Sequence, residues 1–236
     1  KESDNNYNLF YRALALMYAK EITQIKEIEY KKPNFKHYSE VGLTIFRREE
    51  LTLAVKSGCN NDSHNHNDTG SIILFSKNRP ILIDVGVQTY TKKTFSPKRY
   101  EIWTMQSLYH NVVNFSGIGQ SFGPEYKADN YNVSTESISF NLEKAYPKDT
   151  VFYYKRSISI KNNEIDIFDE TISDLSPVLT LMTIEKPEIK GNHLYFSSSH
   201  ITLSSSEINI ETIKITDERL RKALPNRIYR ILIKFD

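Results

Sequence analysis

Cysteine is nearly absent. Cys59 is the only one in 236 residues, so no disulfide can form within the chain and the fold must be held by its core. That usage fits a cytosolic protein and a bacterial periplasmic one alike; a periplasmic or secreted location is the expectation, with the cytoplasm as the other possibility. An excess of either charge is also lacking. The formal net charge is +2, which gives no electrostatic footing for nucleic acid, since that needs Lys and Arg clustered on one face. No apolar run approaches the roughly 20 residues that span a bilayer. The chain opens on Lys1 with no signal peptide at its front, and it reads as a processed or truncated piece of something longer. Tryptophan is limited to Trp103, but there are 15 Tyr. Tyrosine suits a half-buried pleated surface, so sheet packing is the first reading of that bias. A sugar-binding cleft would use the same aromatic faces.

Residues 8–26 stand apart from the rest. Phe10, Leu14, Met17, Ile22 and Ile25 recur at roughly helical spacing, with no Gly or Pro between them. One amphipathic helix is predicted, capped by Asp4, Asn5 or Asn6. Beyond Pro33 the pattern becomes one of strands: 41–47, 50–56, 71–76, 80–84, 111–115, 133–140, 151–160, 164–170, 178–182, 193–197, 208–215 and 227–235. Lys77-Asn78 and Lys161-Asn162-Asn163 look like hairpin turns. A short helix is expected at 217–224. Short strands with polar turns between them predict an all-β fold, a large antiparallel β-sandwich over 33–236 preceded by the helical segment 1–32.

Among the six histidines, His37, His193 and His200 sit in polar surroundings where a solvated ring is the default. The informative stretch is CNNDSHNHNDTG, residues 59–70. In an extended segment positions i and i+2 share a face, so His64 and His66 can both face one site. Asp84 ends the apolar run PILID, where a carboxylate wants a cation or donors. His110 precedes another apolar strand. Two imidazoles and a carboxylate make a zinc set with a fourth position open to water; a polar loop and ordinary turn groups are the plainer reading of the same residues. Geometry imposes a condition. If Lys77-Asn78 is the turn, a flat ladder sets Asp84 opposite about Ser71, leaving roughly 17 Å to His66. The chain must then bend near Gly70 or Gly86.

The segment SHNHNDTGSIILFSKNRPILIDVGVQTY, followed by FSPKRYEIWTMQSLYHN, resembles the signature of the heparinase II/III-like polysaccharide lyases. It carries the Ser-His-x-His-x-Asp stretch, the hairpin ending in Ile-Asp-x-Gly, and the downstream His-Asn. The likeness is dense over residues 63–111 and looser beyond. It implies a β-sandwich stacked behind an incomplete (α/α) toroid, with the helix at 8–26 as the toroid's end and the remainder of the toroid as the missing partner domain. It also implies β-elimination on uronate-containing glycans of the heparan sulfate or alginate kind, an acidic polysaccharide substrate. By position in the motif, His66, Asp84 and His110 would hold a structural zinc, His64 would face the cleft, and Tyr100 would be a further cleft tyrosine. The remaining catalytic groups would come from the toroid, so these 236 residues alone are expected to be inactive or nearly so.

Two other functions suit the same residues. One is a carbohydrate-binding or scaffold sandwich in which a metal only steadies a hairpin. The other is a zinc hydrolase with Asp62 or Asp68 as general base. Only elimination leaves an ultraviolet-absorbing unsaturated uronate.

Overall fold

A computed structural model describes residues 9–24, 32–205 and 207–235. The chain divides into two compact units at Lys32 and Pro33. In the first, the expected single helix is two: α1 (Leu9–Met17) and α2 (Ala19–Gln24), separated by a turn at Tyr18. Neither Gly nor Pro sits at the break, and nothing in the local sequence announces it. Asn8, Ile25 and Lys26, along with the proposed caps Asp4, Asn5 and Asn6, lie outside the described residues.

The second unit is all antiparallel sheet with short helical turns. Five strands follow one another as a meander: β1 (Phe35–Tyr38), β2 (Leu43–Arg47), β3 (Leu51–Lys56), β4 (Ile72–Ser76) and β5 (Arg79–Leu82). After β6 (Val113–Phe115), a second sheet forms from β7 (Asp129–Val133), β8 (Ser137–Asn141), β9 (Tyr153–Lys161) and β10 (Glu164–Ile172). Then come β11 (Pro177–Thr183) and a small sheet of β12 (Glu188–Lys190), β13 (His193–Tyr195) and β14 (His200–Thr202). Finally β15 (Ile208–Lys214), the one-turn helix α2's successor α3 (Glu218–Arg221) and β16 (Arg227–Lys234) close the chain, and a third large sheet runs β15-β16-β11-β6.

Strand alternation builds the core. On β3, Leu51, Leu53 and Val55 are buried while Thr52, Ala54 and Lys56 are half-buried; on β9, Tyr154, Arg156, Ile158 and Ile160 point inward. One hydrophobic cluster joins Phe46, Leu53 and Ile72 to Phe140, Tyr154 and Ile158, and to Leu181 and Ile231, so the three large sheets share a core. Each such side chain contributes about 1.5–3 kcal/mol by leaving water.

Both expected hairpin turns form. Lys77 and Asn78 are left-handed at both positions (φ 50° and 62°), the conformation whose twist matches the flanking strands. Asn162 is left-handed as well. The expected strand over 133–140 is instead the end of β7, a turn and β8. The hydroxyl of Ser134 accepts from the main-chain N–H of Glu136 and Ser137, and this local closure competes with a continuous strand. Strands β1, β12 and β14 lie outside the expected segments, and none exceeds 4 residues.

Candidate metal centre

Three separate segments bring the candidate ligands together. His66 lies in the loop between β3 and β4. Asp84 follows β5, and His110 follows a 3-10 turn (Ser107–Tyr109) before β6. One ligand atom from each of His66, Asp84 and His110 lies within 4.8 Å of the others.

The bend that the flat ladder required is present on both sides. Gly70 has φ +91° and donates its N–H back to the Lys56 carbonyl. A Cβ there would come within 2.7 Å of Leu142, so both the turn and the packing call for glycine. On the other side β5 slips against β4 at a bulge near Phe75. Past Leu82 it leaves β4, and the Ile83 N–H donates to the Met182 carbonyl on β11. The side chain of Asn111 fills the gap that opens. Its amide donates to the carbonyls of Ile72 (2.7 Å) and Ile83 (3.0 Å) and accepts from the Met182 N–H (2.7 Å). Asn60 does similar work for the loop, accepting from the N–H groups of Asp68 and Thr69 and from the Thr69 hydroxyl.

The chemistry of this trio suits a cation. The His110 ring is fully buried, and its Nε2 lies 3.2 Å from the Thr104 carbonyl. A carbonyl only accepts, so Nε2 carries the hydrogen and Nδ1 presents its lone pair to the site. That Nδ1 is buried without a hydrogen-bond partner, 3.5 Å from Asp84 Oδ2. The other carboxylate oxygen accepts from the Gly86 N–H at 2.6 Å, an orienting bond at a glycine with φ +78°. The His66 and His110 rings stand 5.3 Å apart. Burial opposes a charge on His110, but the Asp84 carboxylate outweighs it and raises the imidazole's pKa above its ordinary value. Burial would likewise raise Asp84, yet His110 and His66 hold its carboxyl well below the usual range. His66 is pushed down by burial and then by its positive neighbour. The pocket therefore favours a positive charge, for which a proton and a metal ion compete. The orphaned Nδ1, the second imidazole and the free carboxylate oxygen form a donor set that fits zinc.

His64 does not join this group. Its φ is +61°, so the segment is not extended there, and the i, i+2 argument for a face shared with His66 does not apply. His64 is exposed and is not one of the converging ligands. Tyr100 sits on a 3-10 turn (Pro97–Glu101) capped by Ser96. Its hydroxyl lies 3.5 Å from the Asn65 amide, and its ring stacks on Phe122 at 4.6 Å. Tyr100 thus flanks the histidine loop from a different element. Asp68 forms an ion pair with Lys56, and Asp62 is exposed.

Sequence reasoning missed the support beneath the site. The buried Arg156 guanidinium donates to the carbonyls of Gly70 (2.7 Å) and Asn111 (2.8 Å) and to both oxygens of Asp169. The alternation of β9 contained the signal, because Arg156 falls on the inward phase of YYKRSISIK.

The class that the fold and the site define is a β-sandwich domain in which two histidines and one carboxylate converge at the seam between sheets. The family description "Heparinase II/III-like, C-terminal" matches residues 31–173, and the chain belongs to that family. No curated protein is matched. Among solved structures, heparan sulfate lyase HepC from Pedobacter heparinus is similar with a TM-score of 0.63 and 17% identity, over 96% of this chain and 37% of that one. A crystal structure of heparinase III gives 0.61 and 18%, over 97% and 40%. At such identities the likeness is one of fold. The chain spans well under half the length of these relatives. No helix among the described residues is long and apolar enough to cross a membrane.

Proposed function

We propose that this chain is the C-terminal domain of a polysaccharide lyase that cleaves uronate-containing glycans by β-elimination, and that His66, Asp84 and His110 hold a structural zinc. The observation that carries the metal is the buried, partnerless His110 Nδ1 facing Asp84 and His66. The family membership supports the reaction, and the similar solved structures are of a heparan sulfate lyase and a heparinase. Zinc would neutralise Asp84 and tie three segments together, fixing the wall that carries His64 and Tyr100.

The reaction removes the C5 proton beside a uronate carboxylate and expels the glycosidic oxygen at C4. It needs a base, a proton donor and stabilisation of the enolate charge. His64, exposed on the loop rim, is free to meet substrate, and Tyr100 offers a hydroxyl near by. Other catalytic groups are assigned to the helical toroid domain to which α1 and α2 would belong. A hydrolase reading is less well supported, because Asp68 is committed to Lys56 and Asp62 is exposed and apart from the converging ligands.

Metal analysis tests the site. About one zinc per chain is expected by the ligand count, lost in His66→Ala. Zinc absent from both proteins, prepared without chelator, would sink the assignment. Digestion of heparan sulfate and alginate by the full-length protein tests the reaction: an ultraviolet-absorbing unsaturated product supports elimination, and saturated products alone refute it.

A further inference from the structure

We propose that Asn65 is a positioning residue for Tyr100 and that Lys56 sets the direction in which it acts; the inference rests on the lyase reading above. Asn65 stands between His64 and His66, and its side chain is buried. Lys56 Nζ lies 3.3 Å from its Oδ1, and the Tyr100 hydroxyl lies 3.5 Å from its Nδ2. An ammonium has donors only, so the amide oxygen must face Lys56 and the amide NH2 must face Tyr100. The ammonium is itself anchored by the Asp68 carboxylate. The two elements are clamped as well. Arg99, the residue before Tyr100, donates Nε and Nη2 to the Asn65 carbonyl at 3.2 and 2.9 Å, and Nη1 to the Thr94 carbonyl at 3.1 Å. Phe122 stacks within 16° of the Tyr100 ring plane, which fixes the ring's tilt.

The consequence concerns the phenol's hydrogen. The NH2 of Asn65 can only donate, so it occupies a lone pair of the Tyr100 oxygen, and the phenol O–H must point elsewhere. Among the described residues that hydrogen has no acceptor. Tyr100 is therefore held as a proton donor, with a second donor behind it to stabilise charge on its oxygen. In elimination, a base takes the C5 proton, and the C5–H electron pair forms the C4=C5 double bond. The C4–O bond breaks onto the glycosidic oxygen, which takes the Tyr100 proton as the phenol O–H bond breaks. Asn65 then stabilises the phenolate until solvent returns the proton.

Asn65→Asp and Asn65→Leu test this. Both keep the main-chain carbonyl that Arg99 grips. An aspartate can only accept, so it turns the Tyr100 O–H inward; leucine removes the contact. In the full-length lyase, kcat should fall about 10- to 100-fold, within the usual worth of a positioned acid. KM should change by less than about threefold, as for an interaction made in the transition state, with zinc content retained. A readout independent of activity is the resonance of an isotope-labelled carbon bearing the Tyr100 oxygen, identified by its loss in Tyr100→Phe. It should move toward the phenolate end in Asn65→Asp and shift differently in Asn65→Leu. A resonance unmoved in both variants overturns the proposal whatever the kinetics, and so does a kcat that neither variant lowers. Absence of unsaturated product from the unsubstituted lyase would count against the proposed function instead, and the resonance alone would then decide the role of Asn65.

Discussion

Arg156 has the largest side chain among the fully buried ones. Its charge is met by Asp169, which stands directly opposite it on β10. Burying such a pair is costly in desolvation, but removing one partner leaves an uncompensated charge or unpaired carbonyls. Arg156 also holds the carbonyls of Gly70 and Asn111, the two residues that shape the seam where His66, Asp84 and His110 meet. Arg156→Met is therefore expected to cost about 3–5 kcal/mol, lowering the thermal midpoint by roughly 10 °C. It should also weaken zinc retention, measured by metal content after dialysis. Asp169→Asn leaves the buried guanidinium without its counter-charge and should destabilise comparably, but it should retain zinc better, because both carbonyls keep their donor. Equal loss of zinc from the two variants would contradict this division of labour.

At the scale of elements, short helices and turns depend on single caps. Asp217 accepts from the N–H groups of Arg219 and Leu220 at the start of α3, and from the Thr89 N–H across the fold. Slight burial would raise its carboxyl, but these main-chain donors outweigh that and hold it below the ordinary carboxylate range. A depressed carboxyl contributes stability above its unfolded value, and the contribution is lost as pH falls through the folded value. Asp217→Ala is expected to cost about 1 kcal/mol near neutral pH, as for other N-caps. The gap from the unsubstituted protein should close below about pH 4. A gap that stays constant on acid titration of thermal stability would show that the cap does not act through its charge.

At the scale of the whole molecule, the candidate centre ties together the β3–β4 loop, the end of β5 and the lead into β6. A metal bound to the folded state alone stabilises it by mass action. Chelation should therefore lower the thermal midpoint, and added zinc should restore it. His66→Ala should show neither response. Acid should release the metal as the imidazoles take up protons in its place, followed by metal release against pH. A midpoint indifferent to chelator would argue against a structural role.

Much of this protein was legible in its order of residues. The change from helical to strand spacing near Pro33 marks where the two compact units divide, and the two turns at Lys77-Asn78 and Asn162 follow from local backbone preference. The grouping of His66, Asp84 and His110 was legible through the resemblance and through the awkward carboxylate at Asp84. The sequence did not decide how those residues meet, because a regular ladder would have kept Asp84 and His66 far apart. Departure of β5 toward β11, bending at Gly70 and the three-way clip of Asn111 are long-range events, set by the competition among sheets for the same main-chain hydrogen bonds. The orientation of the Asn65 amide is also tertiary. Local sequence supplies an asparagine between two histidines, and only the fold of the β3–β4 loop back over Lys56, nine residues earlier at the end of β3, fixes which end of the amide faces Tyr100, because an ammonium can donate but not accept.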